Sequence, residues 1–299
     1  MSTVVTKMHA DEVELDVTSV RNLLTEQFPH WADLPLSRLA SAGTDNAMFR
    51  LGPDMVVRLP RIAGSAGQVA FEQRWLPRLA PELPTPVPVP LGHGVPGTGF
   101  PWHWSVFRWL DGENPTVDQL DDPARLATDL AEFITALHRV APDGPPCSRG
   151  RALSTRDEPT RHALSQLDAE IDVPAVTALW EQALRVPAWT GAPVWLHSDL
   201  SPGNVLHDQG RLSGVIDFGA AGTGDPAVDL LPAWNLLPAS VREEFRTATG
   251  VDAATWARGR GWALSISLIQ LPYYLHTNPA LVASSRHVLR EILADAAIE

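Results

Sequence analysis

The spacing of hydrophobic residues changes about one third of the way along the chain. Before that point, short apolar runs alternate with turns rich in Gly, Pro, Asp and Asn. Runs of this kind between turn-forming residues are typical of antiparallel strands. At 17–28 and 68–79 the apolar residues instead recur every three or four positions, which predicts two helices. Four strands are predicted, at 36–40, 47–51, 55–59 and 102–110.

Helical spacing dominates after the linker Asp111–Pro115. Apolar residues from Leu126 to Val140 lie on one helical face, and Pro123 marks the start of that helix. Residues 1–110 are therefore expected to form a small β-rich N-terminal lobe and 111–299 a larger helical C-terminal lobe. This arrangement is a two-lobed α+β fold. Further helices are predicted before 184 and at 225–237, 240–249, 252–275 and 280–297.

In the C-terminal part, three polar residues follow apolar runs and are separated from one another by fixed offsets. Asp199 lies in His197-Ser-Asp, Asn204 follows five positions later, and Asp217 opens an Asp-Phe-Gly sequence. Kinase-type phosphoryl transfer uses one Asp to receive the hydroxyl proton, and an Asn and a second Asp to hold Mg²⁺. Either motif alone is compatible with an ordinary turn. Their order, joined by a predicted hairpin, favours a kinase-like site.

The predicted strand at 55–59 places Val56 and Arg58 on the same face. We interpret Val56 as an apolar cover for a nucleobase and Arg58 as a cation for its phosphates. Glu72, on the next predicted helix, is available to pair with Arg58, as in kinase sites. A surface Arg–Glu pair is the simpler alternative. Only the downstream loop favours the functional interpretation.

Two further segments are candidates for nucleotide binding. Gly43 lies in a small polar turn whose backbone N–H groups can approach phosphates, although an ordinary hairpin turn explains the turn equally well. The backbone of Arg108, Trp109 and Leu110 lies just before the linker, where it can meet the edge of an adenine. These residues complete the predicted nucleotide-binding set.

The charge balance limits the class of partner. The formal net charge is −12 and the pI is about 5.2, which disfavours nucleic acid and favours a cationic small molecule. A solvated acidic surface explains the same balance. Lys7 is the only lysine, so a cation in any later active site must be an arginine.

Other motifs exclude several classes of protein. The single cysteine, Cys147, cannot form an intrachain disulfide, and the histidines lack zinc-ligand spacing. No P-loop sequence is present, and the glycines at 92–97 open no predicted helix, which excludes a dinucleotide-binding turn. The N-terminal residues lack a secretory pattern, and 263–275 is too short to span a bilayer. A cytoplasmic protein without membrane association is expected.

The segment Trp195–Leu230, WLHSDLSPGNVLHDQGRLSGVIDFGAAGTGDPAVDL, resembles the aminoglycoside phosphotransferase family, which has a protein-kinase-like fold. The resemblance implies that Asp199 is the catalytic base and that His197, grouped with it, supports the loop together with Asp229. It also implies that Asn204 and Asp217 bind Mg²⁺. The reaction would move the γ-phosphate of ATP (or GTP) to a small-molecule hydroxyl, with an aminoglycoside-like antibiotic as the favoured acceptor and antibiotic resistance as the consequence.

Two residues depart from the family pattern. Ser198 occupies a position where Gly is usual, which restricts the backbone there. Arg58 stands where Lys is typical, and its planar guanidinium is not equivalent to an ammonium group. Two alternatives stay open, because the sequence does not identify the acceptor and because Arg58 departs from the pattern. One is a metabolic kinase acting on a sugar, amino alcohol or amino acid, and the other is a non-catalytic module with a kinase-like shape. A protein kinase is disfavoured, because no Ala-Pro-Glu sequence follows Asp-Phe-Gly.

Overall fold

The structure is a computed structural model that describes residues 12–39, 45–167 and 170–296. These residues divide into two units, each of which packs mainly on itself. Unit 1 is drawn from Met1–Pro81, Pro86–Asp111 and Ile216–Gly219, and unit 2 from Glu82–Thr85, Gly112–Val215 and Ala220–Glu299.

Unit 1 contains a five-stranded antiparallel sheet with the strand order β1-β2-β3-β5-β4. Two helices accompany the sheet: α1 spans Val17–Gln27 and α2 spans Ala66–Leu79. Phe49, Val57 and Trp104 are among the fully buried side chains of its core. The strands are β1 (Leu36–Arg38), β2 (Asn46–Leu51), β3 (Met55–Pro60), β4 (Pro90–Gly94) and β5 (Trp104–Arg108).

Strand β4 was not predicted, because the glycines at 92 and 94 indicate a turn in the sequence. In the structure their missing side chains allow aromatic rings to approach the strand. A Cβ atom on Gly94 would overlap the ring of Trp104, and one on Gly92 would lie 3.0 Å from both Phe28 and Trp31. The glycines therefore serve close packing here and not a change of chain direction.

Both predicted helices of unit 1 are present, with small differences at their ends. The side chain of Asp16 caps α1 at its N-terminus, accepting from the Ser19 N–H at 2.7 Å. Helix α2 continues through Pro77 to Leu79. Burial of residues on both sides of this proline offsets the lost backbone hydrogen bond.

Unit 2 is mainly helical within its described residues. Strand β6 (Val194–Leu196) pairs with β9 (Gly222–Gly224), and β7 (Val205–Asp208) pairs with β8 (Arg211–Val215). The β7–β8 turn, Gln209-Gly210, has positive φ at both residues, as two-residue hairpins of this type require. The helices are α3 (Pro123–Arg139), α4 (Asp157–Leu164), α5 (Val173–Arg185), α6 (Pro232–Asn235), α7 (Ala239–Thr249), α8 (Ala253–Tyr274) and α9 (Pro279–Ala296).

The prediction of one continuous helix over 225–237 is wrong. Asp225 does cap a helical turn, but Pro226–Leu230 is a 3-10 helix, and α6 begins separately at Pro232. Proline cannot donate the backbone hydrogen bond that a continuous helix needs. Among the described residues, no helix is both long enough and apolar enough to cross a membrane.

Candidate active site

In unit 2, the loop His197–Asn204 connects β6 to β7, and one buried carboxylate, that of Asp229, accepts hydrogen bonds from its backbone. The Oδ1 and Oδ2 atoms of Asp229 accept from the N–H groups of Ser198 at 2.7 Å and His197 at 3.1 Å. His138 Nε2, at the end of α3, lies 3.1 Å from Asp229 Oδ2. Asp229 thus occupies the supporting position that the resemblance implies, whereas His138 was missed.

Side-chain amides hold the rest of this loop. The Nδ2 of Asn114, within the predicted linker, donates to the carbonyls of Pro202, Gly203 and Val205 at 2.9–3.2 Å. Asn235 Nδ2 donates to the Leu200 carbonyl at 2.8 Å. Sequence spacing gives no signal for either contact, because both partners lie far from the loop along the chain.

Ser198 adopts a left-handed backbone conformation, with φ of 68°. This conformation favours glycine and costs other L-residues about 1–2 kcal/mol. The Ser198 side chain is fully buried and its Oγ donates to the Ala220 carbonyl at 2.7 Å. The restriction anticipated from the sequence is therefore present, and a side-chain hydrogen bond offsets part of it.

The Asp199 carboxylate is 33% exposed and is held at both oxygens. Arg149 Nη1 donates to Oδ1, and Asn204 Nδ2 donates to Oδ2 at 3.1 Å and to the Asp199 carbonyl at 2.9 Å. The Asp199 N–H in turn donates to His197 Nδ1 at 3.2 Å. The structure thus brings together His197, Asp199 and Asn204 as predicted neighbours, and adds Arg149, which no sequence pattern indicates.

In unit 1, Arg58 is bonded to two carboxylates. Its Nη1 donates to Glu72 Oε1 at 2.6 Å, and its Nη2 donates to Asp217 Oδ1 at 2.7 Å and to Gln68 Oε1 at 3.3 Å. The exposed fraction is 10% for the Arg58 side chain and 2% for Glu72. The predicted pair of a strand cation and a helix carboxylate is present as a buried ion pair, and it extends to Asp217.

Arg58 and its buried partner Glu72 both have pKa values shifted from their ordinary ranges. Burial opposes the charge of Arg58, but Glu72 and Asp217 outweigh this effect and raise the pKa of Arg58 above its ordinary value. Burial, with the nearby Asp217 carboxylate, raises the pKa of Glu72 against the opposing attraction of Arg58. Arg58 therefore carries a permanent positive charge.

Asp217 is the second residue here with a left-handed backbone, at φ of 64°. Its side chain is 43% exposed although one oxygen is bonded to Arg58. Two residues later, a Cβ atom on Gly219 would lie 2.6 Å from the side chain of Gln68, so this turn is packed tightly against α2. Such constrained backbone near charged groups is typical of functional sites.

The predicted nucleobase segment is partly committed to other contacts. The N–H of Arg108 donates to the Val89 carbonyl, and that of Trp109 donates to the Asp54 carbonyl, at 2.9 and 2.8 Å. Leu110 is the member of this segment whose backbone makes no hydrogen bond to another described residue. Val56 is buried on β3. The N–H groups of Arg108 and Trp109 are therefore already used, whereas the backbone of Leu110 stays available to a nucleobase. Gly43 lies outside the described residues.

The donor atoms of the two predicted metal ligands suit Mg²⁺. Asn204 uses its amide nitrogen for Asp199, which leaves its amide oxygen without a hydrogen bond among the described residues. Asp217 offers a partly exposed carboxylate. The described residues contain no cluster of three or more His, Cys, Asp or Glu that suits a metal. Mg²⁺ bound through phosphates needs only one or two protein oxygens, so these residues fit it.

Two curated proteins show the relationship at the sequence level. The uncharacterized protein YcbJ of Bacillus subtilis (strain 168) is 27% identical over 229 residues, which are 71% of each chain. An aminoglycoside 3'-phosphotransferase of Escherichia coli is 27% identical over 122 residues, which are 39% of this chain and 45% of that enzyme.

Two solved structures have a fold that matches almost the whole of this chain. The GDP and kanamycin complex of APH(2")-IIIa has a TM-score of 0.75 and 21% identity, covering 92% of this chain and 98% of that chain. The apoenzyme of macrolide 2'-phosphotransferase MphH from Brachybacterium faecium has a TM-score of 0.63 and 24% identity, covering 93% and 97%. The predicted α+β, protein-kinase-like fold is confirmed.

A family model described as the phosphotransferase enzyme family (APH) matches residues 37–262, well over half of the sequence. The matched range includes the loop that holds Asp199 and the ion pairs of Arg58. It confirms the resemblance that the motifs of Trp195–Leu230 carry. This chain belongs to the phosphotransferase enzyme family.

Proposed function

We propose that this chain catalyses Mg²⁺-dependent transfer of the γ-phosphate of ATP or GTP to a hydroxyl group of a small molecule. The observation that carries the proposal is the Asp199–Asn204 pair, in which one amide orients a partly exposed carboxylate while keeping its own oxygen available. This is the division of work that kinase-type transfer needs between a base and a metal ligand. Family membership supports the same reaction class.

In this proposal Asp199 orients the acceptor hydroxyl and receives its proton, and Asp229 fixes the loop through His197 and Ser198. Asn204 and Asp217 hold Mg²⁺, which when bound neutralises charge on the nucleotide phosphates. Arg58 provides the cation of β3, paired with Glu72. Val56 and the backbone of Leu110 bind the nucleobase. Positioning and charge account for most of the catalysis.

The acceptor we propose is an aminoglycoside-like antibiotic. The names of relatives support this choice, since one is an aminoglycoside 3'-phosphotransferase and another is described with kanamycin and GDP. A net charge of −12 supports a cationic acceptor. The macrolide phosphotransferase among the structural neighbours widens the class to other hydroxylated antibiotics. A cytoplasmic site of action and a role in resistance are part of this proposal.

A metabolic kinase acting on a sugar, amino alcohol or amino acid is the second candidate, because the site residues described above serve either acceptor. A non-catalytic module is the third. Arg58 is its main support, but Asp199, Asn204 and Asp217 are all present, and Arg58 keeps the Glu72 pairing that a functional site requires.

The test is incubation of the full chain with Mg²⁺ and ATP, and separately GTP, across aminoglycosides, macrolides and small hydroxylated metabolites. Each product is analysed for the mass of one added phosphate. The Asp199→Ala variant is the control for contaminating kinases. Modification of one antibiotic class supports the proposal, and modification of metabolites alone selects the metabolic kinase. No transfer with either nucleotide, although nucleotide binds, contradicts the proposed function.

A further inference from the structure

Arg149 is the one basic side chain that forms an ion pair with the Asp199 carboxylate within the described part of the chain. Its Nη1 donates to Asp199 Oδ1 and, at 3.1 Å, to the carbonyl of Ser198. The loop His197–Asn204 itself contains no Arg or Lys. Among the described residues, the positively charged partner of the predicted base is therefore Arg149, which lies fifty positions upstream in the sequence.

The backbone around Arg149 is fixed on both sides. The Cys147 N–H donates to the Thr223 carbonyl at 2.9 Å, and the Gly150 carbonyl accepts from the Asp225 N–H at 2.9 Å. A Cβ atom on Gly150 would lie 2.9 Å from the Gly224 Cα, so this turn is pressed against β9. A side chain that starts from such a fixed turn is preorganised, and its contact with Asp199 costs little additional ordering.

Part of the Arg149 guanidinium remains available. Neither Nε nor Nη2 makes a hydrogen bond among the described residues, and the side chain is 29% exposed. Guanidinium groups bind oxyanions through two parallel N–H donors. The edge that carries Nε and Nη2 therefore offers such a pair of donors next to the Asp199 carboxylate.

Phosphoryl transfer next to Asp199 brings two negatively charged groups close together. The carboxylate that receives the hydroxyl proton is negative, and so is the phosphoryl group that the hydroxyl attacks. Two anions that approach each other in a partly desolvated site repel strongly unless a cation lies next to them. Arg149 is bonded to one of these anions and has free donors for the other.

We propose that Arg149 is a catalytic cation of this enzyme, which holds Asp199 through Nη1 and stabilises the transferred phosphoryl group through Nη2 and Nε. The inference rests on the proposed function. In the step concerned, the acceptor oxygen forms a bond to the γ-phosphorus while the bond to the β,γ-bridging oxygen breaks. The hydroxyl proton passes to Asp199, and the nucleoside diphosphate leaves with the electron pair.

The experiment compares steady-state kinetics of the wild-type chain with those of Arg149→Gln and Arg149→Lys, using an acceptor that the panel identifies. We expect kcat to fall about 100-fold in Arg149→Gln, while KM for the nucleotide stays within about threefold. Arg149→Lys keeps the charge but not the paired donors, and its kcat falls less. Added guanidinium is expected to restore part of the turnover of an Arg149→Ala variant.

Arg151 provides the matched control, because it is an exposed arginine two residues away. Arg151→Gln is expected to keep wild-type kinetics. Turnover of Arg149→Gln within about threefold of wild type overturns the proposal. A loss of nucleotide affinity in Arg149→Gln as large as its loss of turnover also overturns the proposal. Calorimetry with a non-hydrolysable analogue measures this affinity. If Arg149→Lys has no turnover and added guanidinium restores none to Arg149→Ala, positive charge is not what Arg149 supplies. This result also overturns the proposal.

A second measurement does not depend on catalysis. We compare the urea unfolding midpoints of three variants: Arg149→Gln, Asp199→Asn and the double variant. Because the two side chains are in contact, the shift in the double variant is expected to differ from the sum of the two single shifts. Additive shifts overturn the contact and with it the inference. Absence of wild-type transfer to any acceptor contradicts the proposed function instead, so the two failures are distinguishable.

Discussion

Arg58 and Asp217 are joined by a hydrogen-bonded ion pair, with 2.7 Å between Nη2 and Oδ1. The same guanidinium holds Glu72 through Nη1 at 2.6 Å. Arg58 on β3 is therefore bonded directly to Asp217, the carboxylate that we propose as a ligand of Mg²⁺. The planar guanidinium holds one carboxylate on each of its two Nη groups. A lysine ammonium group has a single nitrogen, from which both hydrogen bonds would have to start.

The stability of unit 1 should depend on this pairing. Arg58→Met leaves the buried Glu72 carboxylate without its cation, so the free energy of unfolding should fall by about 3–5 kcal/mol. Denaturant unfolding measures the change. The double variant Arg58→Met/Glu72→Met removes both charges and should recover most of the loss. If the single and double variants are equally destabilised, the cost does not come from an unpaired carboxylate.

Magnesium binding should respond to a smaller change at the same residue. Arg58→Lys weakens the competition for Asp217, and an ion pair of this exposure is worth up to about 1 kcal/mol, so the Mg²⁺ concentration for half-maximal nucleotide binding should fall up to about fivefold. Calorimetric titration with a non-hydrolysable analogue checks it. A higher Mg²⁺ requirement in Arg58→Lys contradicts competition between Arg58 and the metal.

Asp199 should separate catalysis from nucleotide binding. Because it acts on the acceptor hydroxyl, Asp199→Ala should lower kcat by about 10²–10⁴-fold and leave nucleotide affinity nearly unchanged. Asp199→Asn keeps the shape and should fail equally. Kinetics and calorimetry on the same preparations give both quantities. Parallel loss of nucleotide affinity would assign Asp199 to the nucleotide and not to the acceptor.

Asp217 should show the opposite pattern. Asp217→Ala removes a proposed Mg²⁺ ligand, so the metal-dependent part of nucleotide affinity should weaken at least about tenfold. The measurement is nucleotide titration with Mg²⁺ and with EDTA, in wild type and variant. The assignment fails if the difference between these two conditions is the same in both proteins.

Ser198 allows backbone strain and a hydrogen bond to be separated. Ser198→Ala loses the bond to Ala220 and keeps the left-handed backbone, whereas Ser198→Gly loses the bond and relieves the strain. The glycine variant should therefore be more stable than the alanine variant by about 1 kcal/mol. Gln209→Gly is the control, because Gln209 is exposed in the β7–β8 turn and has φ of 48°. Equal stability of the two Ser198 variants excludes strain at this residue.

Local patterns were sufficient for the strands β2 and β3, the helix α3 and the motifs of Asp199 and Asp217, because each depends on residues close together in sequence. They did not find Arg149, His138 or the linker amide of Asn114, whose partners lie between 49 and 91 positions away along the chain. Such contacts depend on how elements pack, which periodicity does not report. The glycines of β4 show the same limit, since turn formation and close packing favour the same residue.

The guanidinium shared by Glu72 and Asp217 has a consequence for the range of conditions in which the protein can work. A lysine on β3 loses its proton in alkaline solution, and its hold on phosphate weakens as it does so. Arg58 does not titrate where the chain is folded. The attraction for nucleotide phosphates that we propose for Arg58 should therefore be constant with pH, and any alkaline decline in turnover should originate in another group.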